Sequence, residues 1–397
     1  MTVDPRPPSA AQVARGIGTT PATLRRWVRR GLVPQHDGHW TPEAIAHARL
    51  VARMRERGHS LEEIREAGER GRLAFGYLQR LFASAEATHT LEQAVADTGL
   101  EAALIERILA TLGLPAGAGD RIAESEIELL RHAAAVLAAG FPLIAFLQLV
   151  RVYGQALAQI ADAEVRLFHL YVHEPLMRDG VPGVQIAEEM QELAAELLPL
   201  TSPIMDLVHK RLLSHFVDQD IVGHMEADLD HSDRLALGHL RVAIAFADLA
   251  GYTRMTQELG DEHAVDVVER FVDSVGDTLP DDARIVKTIG DAVMVVGSDG
   301  AALVDWAVGF QALHTTRPLP RIGMHYGDVL YRDGDYYGGA VNQAARVAAR
   351  SGAGEVLVTR EIVEAAGPDL DFELIGDVRL KGFSAATELF LARPRAA

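Results

Sequence analysis

The sequence predicts a multidomain chain, an all-α amino-terminal half followed by an α+β domain. Three observations predict it. From residue 10 to about 236, apolar residues recur at three- and four-residue spacing, as in Leu193, Leu197 and Leu200, with few β-branched runs. From about residue 239, short β-rich runs alternate with helical segments, the pattern of one sheet covered by helices. The length, 397 residues, suits two or three domains. The change of texture falls near the acidic, His-bearing stretch Glu226–His239.

Composition narrows the function classes. Apolar residues make up 48% and charged residues 24%, which suits ordinary soluble cores. A formal net charge of −18 argues against a general polyanion binder. Cysteine is absent, which excludes disulfides, thiolate metal sites and a cysteine nucleophile. Residues 1–9 have no apolar core and read as a disordered tail, not a secretory signal. His132–Val150 lacks Asp, Glu, Lys and Arg, but Gly140-Phe141-Pro142 interrupts it. We expect two buried helices joined by a turn there, no membrane span, and a cytoplasmic protein.

The helical half divides into residues 10–72, 73–200 and a linker of transducer helices at 201–238. A shift of 81 places Gln12, Gly18, Ala22, Arg26 and Pro34 on Gln93, Gly99, Ala103, Arg107 and Pro115. After a one-residue adjustment, Ile45, Arg49, Gly58 and Leu61 fall on Ile127, Arg131, Gly140 and Leu143. The expectation is a duplicated helix-turn-helix-like unit, the second copy degenerate. Thr20 should cap the second helix, with Pro21 at its first position. Arg25, Arg26, Arg29 and Arg30 stud that helix, and residues 1–60 carry ten Arg against four acids.

The segment AAQVARGIGTTPATLRRWVRRGLVP, with its tail WTPEAIAHARLVARMRERGHSLEEIREA, resembles the MerR-like winged helix-turn-helix over residues 10–72. Its wing, Gln35–His39, is short for that family, and Glu101 and Glu106 remove the basic face from the second copy. The resemblance makes DNA a conceivable partner. One weakly basic module offers few phosphate contacts, so the expected reading is a solvated face on a module reused for protein contacts.

The α+β half begins with RVAIAFADLAGYTRM, where a strand ends at Asp248 and a small-residue turn, Leu249–Thr253, opens a helix. A carboxylate beside backbone N–H groups suits a metal held against phosphate; capping of the next helix is the equal alternative. In RIVKTIGDAVMVV two β runs pinch at Thr288-Ile289-Gly290, with Lys287 before and Asp291 after. Alone, it reads as a hairpin with solvated tips. In GDYYGGAVNQAARVAARSGAGEVLVT a Gly-Gly turn leads into a helix with Asn342 and Arg346 four residues apart on one face. Further strands are expected at Ala283–Ile289, Ala292–Val296, Arg321–His325, Glu355–Thr359 and Thr387–Leu391, with helices at His263–Leu279 and Ala301–His314.

In order and spacing, these segments resemble the class III nucleotidyl cyclase catalytic domain, over residues 239–393. The resemblance implies a ferredoxin-like α+β fold and conversion of ATP to cyclic AMP and pyrophosphate. It implies that Asp248 and Asp291 bind two divalent ions per site, Mg2+ or Mn2+. It implies a purine-reading pair, Lys287 and Asp335, the transition-state residues Asn342 and Arg346, and a triphosphate-contacting Lys381 in RLKGF. Glu355 departs from the pattern, since some members carry a phosphate-contacting Arg there. A Lys donor with an Asp acceptor favours adenine over guanine. All these residues occur on one chain, and the family builds each site from two chains. A homodimer with two composite sites is therefore implied.

Residues 73–238 resemble the helical regulatory region that precedes the catalytic domain in some actinobacterial cyclases. Thirteen of the sixteen His precede residue 240, and His209, His215, His224, His231 and His239 crowd the approach to the catalytic domain. Such a cluster can form a proton switch, against the commoner case of solvated helix-surface His. Lacking a tight His pair backed by carboxylates, it is not expected to hold a metal. The rival class for the whole chain is an inactive cyclase fold serving as a signalling or DNA-binding regulator.

Overall fold

In the computed structural model, residues 8–33, 39–69, 89–114, 121–179, 183–229, 238–367 and 369–395 are described. Most of the expected tail and of the wing, His231, and residues 70–88 lie outside them. The chain forms two compact units, Met1–Lys210 and Arg211–Ala397.

In the first unit, α1 (Ala10–Gly16) starts at a capping box between Ser9 and Gln12. Helix α2 (Pro21–Arg29) is capped by Thr20, whose hydroxyl accepts from Thr23 N, with Pro21 in the first turn as expected. Helices α3 (Pro42–Glu56) and α4 (Leu61–Glu69) close over Leu24, Trp27, Trp40, Val51 and Ile64. Next come β1 (His89–Thr90), α5 (Leu91–Thr98), α6 (Ala102–Thr111), β2 (Arg121–Ile122) and α7 (Glu124–Ala138), with β1 antiparallel to β2. They pack around Ile105, Ile108, Ile127, Leu130 and the first turns of α8 (Leu143–Phe168).

The break at residues 139–142 is present, and the part of the second helix within that run is half buried: Phe146, Leu147 and Val150 are covered, while Leu143, Ile144 and Leu149 are exposed. Only Phe146, Leu147, Val150 and Gly154 of α8 are buried, while Leu157, Ile160, Val165 and Leu167 are exposed. By length and composition Leu143–Arg178 is apolar enough to cross a membrane, at mean hydropathy 1.3, with 17% of its apolar window buried. A π-helical turn, His169–His173, continues α8 into α9 (Glu174–Arg178). Helix α10 (Gly183–Leu229) then runs 47 residues with Pro199 and Pro203 inside it.

The second unit contains β3 (His239–Leu249), α11 (Tyr252–Leu259), α12 (Asp261–Thr278), β4 (Ala283–Ile289), β5 (Ala292–Gly297) and α13 (Gly300–Leu313). There follow β6 (Pro320–Arg332), β7 (Asp335–Tyr337), α14 (Gly339–Ala348), β8 (Val356–Thr359), α15 (Arg360–Ala365), β9 (Leu370–Val378) and β10 (Thr387–Pro394). One sheet orders them β4-β5-β3-β6-β8-β10-β9, with β7 on β6. Only the β6–β8 pair is parallel among these. The order β4-β5-β3-β6 is the βαββαβ arrangement of a ferredoxin-like sheet. Strand β9 was not expected. It is an edge strand whose Asp371, Glu373 and Asp377 hide the β signal.

Alternation along β3 sets the two faces. Ala243, Ala245 and Ala247 pack with Phe271, Val275, Leu303 and Phe310 under α12 and α13. Val242, Ile244 and Phe246 face the other way, against Ala340, Ala344 and Ala348 of α14. Helix α14 lies so close to β6 that a Cβ on Gly323 would sit 1.9 Å from the Ala348 nitrogen.

Candidate active site

Asp248 is the penultimate residue of β3, with the strand parity of Val242, Ile244 and Phe246, and it does not cap α11. That helix starts at Gly251 in the left-handed region (φ 85°) without a side-chain cap. The capping alternative therefore falls away. Arg321 is the Cα partner of Asp248 across β3 and β6. It donates to Asp248 Oδ2 from Nε at 2.9 Å and from its second guanidinium nitrogen. The other oxygen, Asp248 Oδ1, is buried and receives no donor.

Asp291 lies in the tight β4–β5 turn after Gly290 (φ 64°), and Ala292 beside it pairs with Asp248. Burial, then the hydrogen bonding and charge of the Asp248 carboxylate, push the Asp291 carboxyl up to about 6. Two carboxyls in mutual repulsion, one with an unserved buried oxygen, fit a bound cation. Among the described residues no group of three His, Asp or Glu side chains forms a cage. Such a two-carboxylate donor set suits a hard divalent cation with coordination positions left for other oxygen ligands.

The hairpin tip is not solvated throughout. Lys287 Nζ donates to Asp335 Oδ2, an ion pair 48 residues apart in sequence. Asp335 Oδ1 accepts from Tyr336 N at 2.8 Å. In α14, Ala340, Ala344, Val347 and Ala348 are buried, leaving Asn342 and Arg346 exposed on the opposite side. Lys381 is exposed on a loop anchored by Leu380 and Phe383 against Val347, the neighbour of Arg346. Glu355 caps its own loop, accepting from Gly352 N at 2.7 Å.

The structure thus brings Asp248 to Asp291 and Lys287 to Asp335. Among the described residues, no hydrogen bond or ion pair joins Asn342 or Arg346 to either pair. Arg321 is the residue that sequence reasoning missed. The signal was available in the strand Arg321–His325, whose first residue is a cation, but its partner lies 73 residues earlier.

Comparison with known proteins agrees with this geometry. Residues 38–216 match the family described as the adenylate cyclase regulatory domain. Residues 237–393 match the adenylate and guanylate cyclase catalytic domain. An uncharacterised protein of Mycobacterium tuberculosis is 31% identical over 86% of this chain and 89% of its own length. A pH-sensitive adenylate cyclase of M. tuberculosis is 31% identical over 62% of each chain. An adenylate cyclase of Streptomyces coelicolor is 29% identical over 72% of this chain and 74% of its own. With the ferredoxin-like sheet and two adjoining carboxylates in place, the chain belongs to the class III nucleotidyl cyclases, its catalytic domain preceded by an adenylate cyclase regulatory domain.

Proposed function

We propose that the chain converts ATP to cyclic AMP and pyrophosphate at sites composed from two copies of itself. The observation that carries this is the pair Asp248 and Asp291, with Asp248 Oδ1 buried and undonated. These two residues would hold two divalent ions, Mg2+ or Mn2+. Bound there, such ions supply acidification of the ribose 3′-hydroxyl and neutralisation of phosphate charge. Arg321 fixes Asp248 through its other oxygen. Lys287 offers a donor and Asp335 an acceptor, the complement of the acceptor and amine on the adenine edge. Arg346 meets charge developing on the α-phosphate, Asn342 orients the ribose, and Lys381 steadies the triphosphate. The 3′-oxygen bonds to the α-phosphorus as the bond to pyrophosphate breaks.

Two observations support the shared site. Asn342 and Arg346 are exposed and unconnected to the carboxylates of their own chain. Leu157, Ile160 and Leu167 of α8, and Leu200, Ile204, Leu207 and Leu212 of α10, present apolar surface that a second copy would cover. Purified full-length chain with ATP and Mn2+ should yield cyclic AMP, and GTP should give less product. No cyclic product from either nucleotide between about pH 5 and 8 would retire this reading in favour of an inactive cyclase fold.

Residues 1–238 act as the control module in this reading. The duplication is supported by matched details. Ser9 and Gln12, and Thr90 and Gln93, form capping boxes at the same offset. Gly18, Gly31 and Gly58 (φ 69°, 70°, 94°) answer to Gly99, Gly113 and Gly140 (φ 72°, 73°, 95°). Arg25, Arg26 and Arg29 of α2, and Arg30 just after it, are exposed, and we read them as a solvated face, with DNA the less favoured partner of this MerR-like unit.

A proton input is favoured by one observation besides the name of the pH-sensitive relative. His173 is 2% exposed, and its Nδ1 lies 3.1 Å from His169 Nδ1, with Glu174 3.7 Å from His169. The two rings are in direct contact within the π-helical turn, so a change of charge on this pair would alter the turn. His209, His215 and His239, by contrast, are exposed. His173→Asn should flatten the pH–activity profile of the full chain more than His209→Gln does.

A further inference from the structure

Arg284 lies on β4, three residues before Lys287, and the register slips between Ile285 and Lys287. Arg284 therefore pairs with Val296 and Lys287 with Met294, two residues apart on β5. Met294 and Val296 belong to the same face of the sheet, so the bulge puts both cations on that face. Without it, residues three apart would point to opposite sides.

The guanidinium of Arg284 donates to the Tyr336 hydroxyl and lies 5.6 Å from the centre of the Tyr336 ring. Tyr336 is 4% exposed, follows Asp335, and gives its own N–H to the Asp335 carboxylate. On its other side Arg284 lies 5.4 Å from the ring of Phe216, on the part of α10 that belongs to the second unit. One turn further on, Gln219 Nε2 donates to the carbonyl of Asp281, just before β4. Beside these contacts is a recess of about 310 Å3 lined by His215, Gly276, Leu279, Asp281, Arg284 and Ile285.

We propose that Arg284 is a positioning residue that couples the transducer helix to the purine-reading pair. Phe216 presses its guanidinium toward Tyr336, and Tyr336 holds the Asp335 carboxylate where Lys287 and the adenine amine meet it. The helix then sets nucleotide affinity and base preference rather than the rate of bond making. This inference rests on Lys287 and Asp335 being the purine readers.

The test measures KM and kcat for ATP and GTP on full-length chains carrying Phe216→Ala, Arg284→Ala, Arg284→Lys and Lys287→Ala. Phe216 is 40% exposed, so its truncation should leave the fold intact and makes it the deciding variant. Losing an exposed cation–π contact should raise the ATP KM about two- to fivefold with kcat little changed. The preference for ATP over GTP should narrow in parallel. Arg284→Ala should act in the same direction and more strongly, Arg284→Lys should lie between, and adding Phe216→Ala to Arg284→Ala should change nothing further. If Phe216→Ala keeps the parental KM and base preference while Lys287→Ala shifts both, the coupling is wrong and the purine pair stands. If Lys287→Ala shifts neither, the purine reading fails and takes the coupling with it.

Discussion

At the scale of single residues, the site is a balance between two carboxyls and one guanidinium. Arg321 serves one oxygen of Asp248 and leaves the other buried and bare, and Asp291 beside it is pushed up to about 6. The unfolded chain would titrate Asp291 near the ordinary carboxyl value of 3.8, so the native state binds the proton more tightly. Stability is then lost as pH rises through that interval and stays reduced above it. Asp291→Asn should therefore melt a few degrees above the parent in metal-free buffer near pH 7.5, and the gain should vanish near pH 4. Added Mn2+ should stabilise the parent and not the variant. A variant that melts below the parent at neutral pH would contradict the repulsive pair. Asp248, Asp291, Lys287 and Asp335 stand out in the sequence because each lies near a strand end or turn with its own local pattern, and the structure pairs Asp248 with Asp291 and Lys287 with Asp335. Arg321 and Arg284 were not, since strand register and a bulge give them their partners.

At the scale of elements, α14 is held to the sheet by backbone contact, and this is what presents Asn342 and Arg346. A Cβ at Gly323 would meet the Ala348 nitrogen at 1.9 Å, and neither strand nor helix backbone can yield cheaply. Gly323→Ala should cost about 3 kcal/mol of stability. It should also cut kcat more than it raises the ATP KM, because the helix would be lifted together with Asn342 and Arg346, the proposed transition-state residues. Gly309→Ala in α13, with nothing within 4 Å of its Cβ, is the matched control and should stabilise by about 0.5–1 kcal/mol. Thermal unfolding of both variants checks the pair, and equal melting temperatures would refute the close approach. The strands of the catalytic unit were largely readable from β-branched runs, β4 to the residue. Strand β9 was not, because an edge strand carries charges where a central one carries Val and Ile. The apolar run to Val150 was read as buried, yet α8 buries Phe146, Leu147 and Val150 and exposes Leu143, Ile144 and Leu149, because an apolar stretch does not say which of its faces is covered.

At the scale of the whole molecule, the division into two units falls within α10, at Lys210 and Arg211, where no loop or composition change marks it. Continuous helical periodicity hides such a boundary from the sequence. In the proposed dimer one chain's carboxylates work with the other chain's Asn342 and Arg346. The direct measurement is complementation between full-length Asp248→Ala and Arg346→Ala chains, each expected to be nearly inactive alone. After subunit exchange in an equal mixture, half the dimers are mixed and each has one intact site, so about a quarter of parental activity should return. No recovery, in mixtures shown by mass to contain the heterodimer, would mean that each chain builds its site alone.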